Sequence, residues 1–216
     1  MRQICRFIGM SQYFAIHPDN PQGRLISQAV AIIQKGGVIA YPTDSCYALG
    51  CHLGDKRAME RIAKIRRTDA KHNFTLVCPD LSAIAQYAHV DNRAYRTIKS
   101  LTPGPYTFIL RATSDVPRRL QNPKRKTIGI RVPDNNICKA LLQELGEPLM
   151  SSTLILPNND LPETDAEEIR EKLEHDVDLV IDGGNCGFEP TTVVIVDEDG
   201  GMEVARQGRG PTSFAD

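Results

Sequence analysis

Hydroxyl and guanidinium side chains, rather than nucleophiles or metal ligands, carry the chemistry legible in this chain. Tyr41-Pro42-Thr43-Asp44-Ser45 sets a proline-stiffened hydroxyl cluster after a short apolar run, where a rigid strand can aim loop side chains at a ligand. A tight turn capped by its own side chains fits the same residues. Lys64, Arg66, Arg67 and Lys71 gather where a helical pattern gives way to the next apolar run. They either meet an anion or form a solvated helix end that complements the helix dipole. Arg118, Arg119, Lys124, Arg125 and Lys126 follow with no acid among them, and Asn122-Pro123 keeps the segment out of a helix. It reads as a flexible phosphate-contacting loop or as plain solvated charge. Arg131 differs, because it sits inside the apolar stretch 127–132. An unpaired cation there is costly, so it must find a carboxylate, a carbonyl or a bound anion.

Other chemistries lack their residues. There is no GxxxxGK[ST] phosphate cradle, no strand-linked GxGxxG and no GxSxG. The five histidines (His17, His52, His72, His89, His175) form no HExxH or close pair and read as surface or capping groups. Gly183-Gly184-Asn185-Cys186-Gly187, just before Pro190, either needs glycine for loop geometry or contacts phosphate. The six cysteines show no CxxC pair, so no metal ligand set is predicted, and they read as reduced thiols of a cytoplasmic protein, several in the core.

The elements that must position these groups follow from periodicity. Residues 24–35 place Leu25, Ala29, Ile32 and Ile33 on one helical face and stop at Gly36-Gly37. A strand over 38–41, a helix over 57–66 and a buried strand over 74–78 come next. A short helix follows Pro79, then a helix over 91–101 with Tyr95 and Ile98 on its apolar side, and a strand over 106–111. The pattern continues with a strand over 127–132, a helix over 136–145 ending at Gly146, and an extended segment over 149–152. Thr164-Asp165-Ala166-Glu167 has the capping-box form and opens a helix to about residue 175. Strands over 177–181, 192–196 and 202–206 complete the chain, the last two forming a hairpin. Alternation ending in a hairpin predicts a mixed α/β sheet.

The 216 residues, 41% hydrophobic and 25% charged, suffice for one globular domain with a proper core. Residues 1–9 make no signal peptide; they read as an upstream-start extension before Met10, with a single domain over 10–216. No apolar run reaches the length of a transmembrane helix. The net charge of −1 hides a strong asymmetry: residues 55–139 hold 18 basic and 7 acidic groups, residues 140–216 hold 4 and 18. That layout fits an anionic partner or a solvated charge pattern.

Six motifs in order now carry a resemblance. Pro42-Thr43-Asp44-Ser45-Cys46-Tyr47-Ala48-Leu49-Gly50 resembles the PTE(T)xYGLG motif of the YrdC-like threonylcarbamoyl-adenylate synthase family. Thr102-Pro103-Gly104-Pro105-Tyr106-Thr107-Phe108 is similar to its WPGPxTF, and Thr127-Ile128-Gly129-Ile130-Arg131-Val132-Pro133 to its TxxxRxP. Pro148-Leu149-Met150-Ser151-Ser152-Thr153 resembles the strand before its SxN pair, Thr191-Thr192-Val193-Val194 its STVVD, and Arg206-Gln207-Gly208 its closing RPG. The wording at Ile16-His17-Pro18-Asp19-Asn20-Pro21 and His72-Asn73-Phe74-Thr75-Leu76 is most similar to the YciO branch.

The resemblance implies a twisted mixed sheet, parallel and antiparallel, with flanking helices and a basic concave cleft. It implies condensation of L-threonine, bicarbonate and ATP to threonylcarbamoyl-adenylate and pyrophosphate for tRNA modification, with magnesium accompanying ATP as substrate. By position, Thr43 and Arg131 would hold threonine. Arg67, Lys71, Thr127, Ser151, Thr153, Thr191 and Arg206 would line the nucleotide and phosphate side. Arg118, Arg119, Lys124, Arg125 and Lys126 would meet tRNA or double-stranded RNA. Such chemistry needs negative charge on oxygen neutralised more than it needs a covalent nucleophile. Two departures stand out. The family's KxR pair, the catalytic candidates, reads literally as Lys64-Ile65-Arg66, whereas counting back from the strand at Phe74 puts Arg66 on the lysine. Its SxN pair becomes Thr153-Leu154-Ile155, and Ile155 can neither donate nor accept a side-chain hydrogen bond. A weak or altered activity is the expectation, with a non-catalytic RNA-binding or nucleotide-sensing module as the alternative.

Overall fold

A computed structural model of the chain describes residues 10–68 and 74–214. Within these residues the elements run β1 (Gln12–Ala15), α1 (Gly23–Gln34), β2 (Ile39–Tyr41), β3 (Ala48–His52), α2 (Lys56–Arg66), β4 (Thr75–Val77), α3 (Leu81–Tyr87), β5 (Ala88–His89) and α4 (Asn92–Leu101). They continue with β6 (Tyr106–Ala112), a 3-10 turn (Arg118–Leu120), β7 (Thr127–Arg131), α5 (Asn136–Leu145), β8 (Leu149–Thr153), α6 (Ala166–Leu173), β9 (Leu179–Asp182), β10 (Thr192–Val196) and β11 (Met202–Arg206). The segments expected at 1–9, including Cys5 and the proposed extension, and at Lys71 and His72 lie outside the described residues.

Helix boundaries follow local chemistry. Asp55, Asp91 and Asn135 each accept a hydrogen bond from a first-turn amide of α2, α4 and α5, satisfying donors that the helix itself cannot. Gly146 ends α5 in the left-handed conformation, φ +74°. Two expectations are corrected at this level. The cap of α6 is Asp165, which accepts from the Glu168 amide at 3.0 Å, so the helix starts one residue later than a box capped by Thr164 places it. On α4 the buried positions are Ala94 and Ile98, and Tyr95 is exposed because it stands about 100° round the helix from that stripe.

One mixed sheet takes all the strands, in the order β1-β9-β2-β3-β8-β4-β7-β6-β10-β11, with β5 beside β6. The β1/β9, β9/β2, β4/β7 and β6/β10 pairs are parallel. The β2/β3, β3/β8, β4/β8, β6/β7 and β10/β11 pairs are antiparallel. Periodicity passed over β1, β3 and β5. β3 reads Ala-Leu-Gly-Cys-His, with little β propensity, and is specified by its neighbours: a Cβ at Gly50 would meet Leu149 Cδ2 at 2.7 Å and the Tyr41 ring at 2.8 Å.

Strand alternation sends side chains to opposite faces, and the helices cover those faces unequally. Ala40, Leu49, Leu76, Phe108, Ile130, Met150, Val180 and Val194 pack into the larger core with α2, α3, α4 and α6. On the opposite face α1 and α5 cover Ile39, Tyr41, Leu149, Leu179 and Ile181. The same face of β6, β7 and β10 contributes no residue to that second core, and there the candidate site lies. The tail after β11 closes the far end of the sheet. Fully buried Thr192 donates to Gly210 O at 2.6 Å and accepts from the Gly208 amide at 3.0 Å, and Tyr106 donates to Pro211 O at 2.9 Å. Thr192→Val keeps the shape but orphans both partners; the expected loss is about 1–3 kcal/mol, read as a lower urea midpoint at unchanged slope.

Candidate functional site

On the uncovered face the alternation brings up hydroxyls and small residues: Thr75 on β4, Thr107 and Ile109 on β6, Gly129 and Arg131 on β7, Ser151 and Thr153 on β8, and Val193 on β10. Register sets Ser151, Thr75, Gly129 and Ile109 side by side across four strands. With Arg66, Ser152, Ile155, Thr191 and Arg206 they enclose a cavity of about 320 Å³. A Cβ at Gly129 would approach Thr75 Oγ1 to 3.2 Å, so glycine keeps the floor low. A second cavity of about 260 Å³ shares Phe74, Ile109, Gly129 and Val193 with the first and extends it to Thr127, Asn122 and Arg125. Among the described residues no Asp or Glu lines either cavity, and every charged group that does is an arginine.

Arg131 is only 7% exposed and has found its carboxylate. Its Nη2 donates to Asp44 Oδ1, while Nη1 reaches Ser45 Oγ at 3.4 Å. Asp44 Oδ2 accepts the Asp134 amide at 3.1 Å. Asp44 belongs to the loop between β2 and β3, and β8 and β4 stand between β3 and β7 in the sheet. The ion pair therefore crosses the concave face and requires the sheet to curl. Nε of Arg131 has no hydrogen-bond partner among the described residues, although the residue lines the cavity.

Thr43 serves the turn. Its hydroxyl donates to Cys46 O at 2.7 Å and accepts from the amides of Ser45 and Cys46 at 3.1 and 3.2 Å. Thr43 does not line the cavity; of the two readings of the hydroxyl cluster, the self-capped turn describes it. Cys46 does line the cavity. Burial pushes its thiol above the ordinary value, against the opposing Ser45 hydrogen bond and the Arg131 charge. It stays protonated near neutral pH and supplies no thiolate nucleophile.

The basic candidates separate. Arg66, the last residue of α2, lines the cavity and its Nη1 donates to Ser152 Oγ; burial pulls its guanidinium below the ordinary value. Lys64 is exposed on α2 and Arg67 is exposed at its left-handed cap, φ 48°, and neither lines the cavity. Arg206 lines it, anchored through Nη2 to Thr191 O at 2.9 Å, and the Thr191 hydroxyl pairs with that of Thr107 at 2.8 Å. The Ser151 hydroxyl lies 2.7 Å from that of Tyr41. Thr127 lines the second cavity.

The segment 118–126 is a built turn rather than a loose loop. Asn122 Oδ1 accepts the amides of Lys124 and Arg125 at 3.0 Å, and the Asn122 amide donates to Thr127 O at 2.7 Å. Arg119 donates to Gly54 O and so tethers the turn to the end of β3. Arg118 and Lys126 line a separate groove, whereas Arg125 faces the second cavity. The Gly183–Gly187 cluster lines neither cavity, and Gly184 O accepts the Tyr47 hydroxyl at 2.9 Å. Sequence reasoning did not single out Thr75, Thr107, Gly129 or Ser152. The period-2 signal was available for Thr107, which alternates with the buried Tyr106 and Phe108. Ser152 breaks that alternation and is found only through Arg66.

Guanidinium and hydroxyl donors around a cavity with no acid among its described residues suit a ligand with anionic oxygens. The Sua5/YciO/YrdC profile, described as telomere recombination, matches residues 31–208. The uncharacterized protein of Haemophilus influenzae is 60% identical over 205 residues, covering 94% of this chain and 99% of that protein. The crystal structure of Escherichia coli YciO superposes with a TM-score of 0.90 at 57% identity, covering 94% and 98%. A threonylcarbamoyl-AMP synthase of Neisseria gonorrhoeae is 29% identical over 173 residues, covering 80% and 90%. P. abyssi Sua5 complexed with L-threonine gives a TM-score of 0.82 at 22% identity, covering 92% of this chain and 58% of that one, a likeness of fold. Motif order, the mixed sheet and the arginine-lined concave face thus agree with the profile match: the chain belongs to the Sua5/YciO/YrdC family.

Proposed function

We propose that the cavity binds ATP and L-threonine and that the protein condenses them with bicarbonate into threonylcarbamoyl-adenylate, pyrophosphate and water, at a rate reduced by Ile155. The observation that carries this reading is the cavity with Arg66, Arg131 and Arg206 on its walls and no Asp or Glu among its described lining residues. The carbamate formed from the threonine amine must attack the α-phosphorus while pyrophosphate leaves. Charge builds on oxygens throughout, and fixed guanidinium and hydroxyl donors stabilise it without reorganising. No covalent intermediate with the enzyme is needed. Magnesium would arrive with ATP, held by phosphate oxygens; Ser151 and Thr153 are hydroxyl groups the cavity can offer it, and among the described residues no carboxylate lines the wall to bind it alone. The threonylcarbamoyl-AMP synthase among the relatives and the threonine-bound P. abyssi Sua5 support this assignment.

Arg66 is the KxR candidate that reaches the cavity. Its fork and fixed charge meet phosphate differently from a lysine. Ile155 lines the same wall and removes one polar ligand contact. Pyrophosphate release dependent on both L-threonine and bicarbonate is expected at high enzyme concentration; release indifferent to either would overturn the reading. Ile155→Asn should raise that rate by roughly threefold to tenfold, the worth of one restored hydrogen bond.

RNA binding at the basic turn is a second activity that we infer for the same molecule. Among the described residues no ion pair involves Arg118, Lys124, Arg125 or Lys126. Joint substitution of Lys124, Arg125 and Lys126 by Gln should weaken structured-RNA binding and flatten its salt dependence by about one unit of log–log slope for each lost phosphate contact. Arg119→Ala should instead lower stability, because Arg119 tethers the turn. Binding unaffected by salt and by the triple change would remove this activity.

A further inference from the structure

Arg66 reaches the cavity from the opposite side of the sheet. It ends α2, which packs on the larger core through Ala58, Ile62 and Ile65, whereas the cavity lies on the other face. On β8, alternation turns Ser151 and Thr153 toward the cavity and sets Ser152 with Met150 on the α2 side. Yet Arg66 and Ser152 both line the cavity, and Arg66 Nη1 donates to Ser152 Oγ. The passage is opened by a short strand. β4 pairs with β8 over 149–151, so Ser152 and Thr153 have no partner in β4 among the described residues. Phe74, just before β4, marks the same opening, since it belongs to the larger core and lines both cavities.

The helix does not by itself send Arg66 inward. Lys64 and Arg67, at the same helix end, are exposed, where a cation keeps its hydration and complements the helix dipole. Burial costs the Arg66 guanidinium that hydration and pulls it below its ordinary value, so an acceptor is needed to hold it inside. Ser152, only 6% exposed, supplies one. We propose that Ser152 is the positioning residue for Arg66: its hydroxyl accepts the guanidinium where β4 ends and keeps that charge in the cavity wall, where it meets the ligand's polyphosphate. This rests on the reading that ATP binds in the cavity. Arg131 is anchored separately, by Asp44 on the loop after β2. Loss of the Ser152 hydroxyl should therefore fall on the polyphosphate and spare L-threonine.

The test compares the parent with Ser152→Ala, which removes the acceptor, Ser152→Cys, which keeps the size with a weakly accepting sulfur, and Ser152→Thr, which keeps the hydroxyl. Dissociation constants for ATP, inorganic tripolyphosphate and L-threonine are measured by calorimetry, in these variants and in Arg66→Ala with and without Ser152→Ala, and folding by thermal midpoint. Ser152→Ala should weaken ATP and tripolyphosphate alike, by about tenfold or more, the worth of a hydrogen bond to a charged group, and leave L-threonine within about twofold. It should add less than about twofold once Arg66 is Ala, because residues that act through one contact are not additive. Ser152→Thr should hold ATP within about twofold of the parent. Ser152→Cys should show most of the Ala loss, and it decides the matter if the Ala variant does not fold. Unchanged ATP affinity in a folded Ala or Cys variant, an equal loss for L-threonine, or the same loss with Arg66 already removed overturns the proposal. A parent that binds neither ATP nor tripolyphosphate overturns the functional reading instead. The Arg66 side-chain NMR signal, assigned with Arg66→Lys, then judges the anchor, and a signal unmoved by Ser152→Ala refutes it.

Discussion

The Asp44–Arg131 ion pair is the constraint around which the site is organised. A cation placed on an interior strand would be costly unless paired, and its partner comes from a loop that β8 and β4 separate from β7 in the sheet. Such a pair gains little net stability against a well-packed apolar alternative, but breaking one member of it is expensive, about 3–5 kcal/mol. It therefore works as a specification of shape. Only a sheet curled far enough to bring the loop after β2 over β7 satisfies it, and that curl makes the concave face.

Coverage then decides which part of the concavity stays open. Both faces of β2 and β9 are buried, one by α1 and α5 and the other by the larger core. Farther along, β6, β7 and β10 have helices on one side only, so their other face would expose backbone and side chains to water. That face and its continuation onto β4 and β8 carry residues that a wet surface tolerates: Thr75, Thr107, Gly129, Ser151 and Thr153, with Thr191 just before β10. The hydroxyls support one another, as in the Thr107–Thr191 pair. Preformed donors of this kind cost nothing to orient when a ligand arrives.

The charge layout has the same logic. A near-neutral total conceals a cavity wall whose charged groups, among the described residues, are all arginines, while most of the acidic residues of the last third lie on α6, in the β10–β11 hairpin and in the loops around them. The near-neutral net charge of the chain is thus no guide to the field inside the cavity. Relative to the family pattern, this cavity exchanges an amide for the apolar Ile155 and presents Arg66. Both residues stand on the cavity wall and outside the packed core.

Sequence alone determined the periodic elements, nearly all helix ends, the terminal hairpin, the mixed sheet, the motif order and the demand that Arg131 be paired. These are local properties: capping, alternation and the cost of an unpaired charge are set by neighbours in the chain. Which partner Arg131 takes, that Thr43 is spent on its own turn, that Arg66 enters the cavity while Lys64 does not, and that Ser152 receives Arg66 were decided only by the tertiary structure. β3 belongs with these, since its strand character is imposed by β2 and β8. The reason is common to all of them: each depends on contacts across strands far apart in sequence, and no spacing along the chain encodes how far a sheet curls before its loops meet.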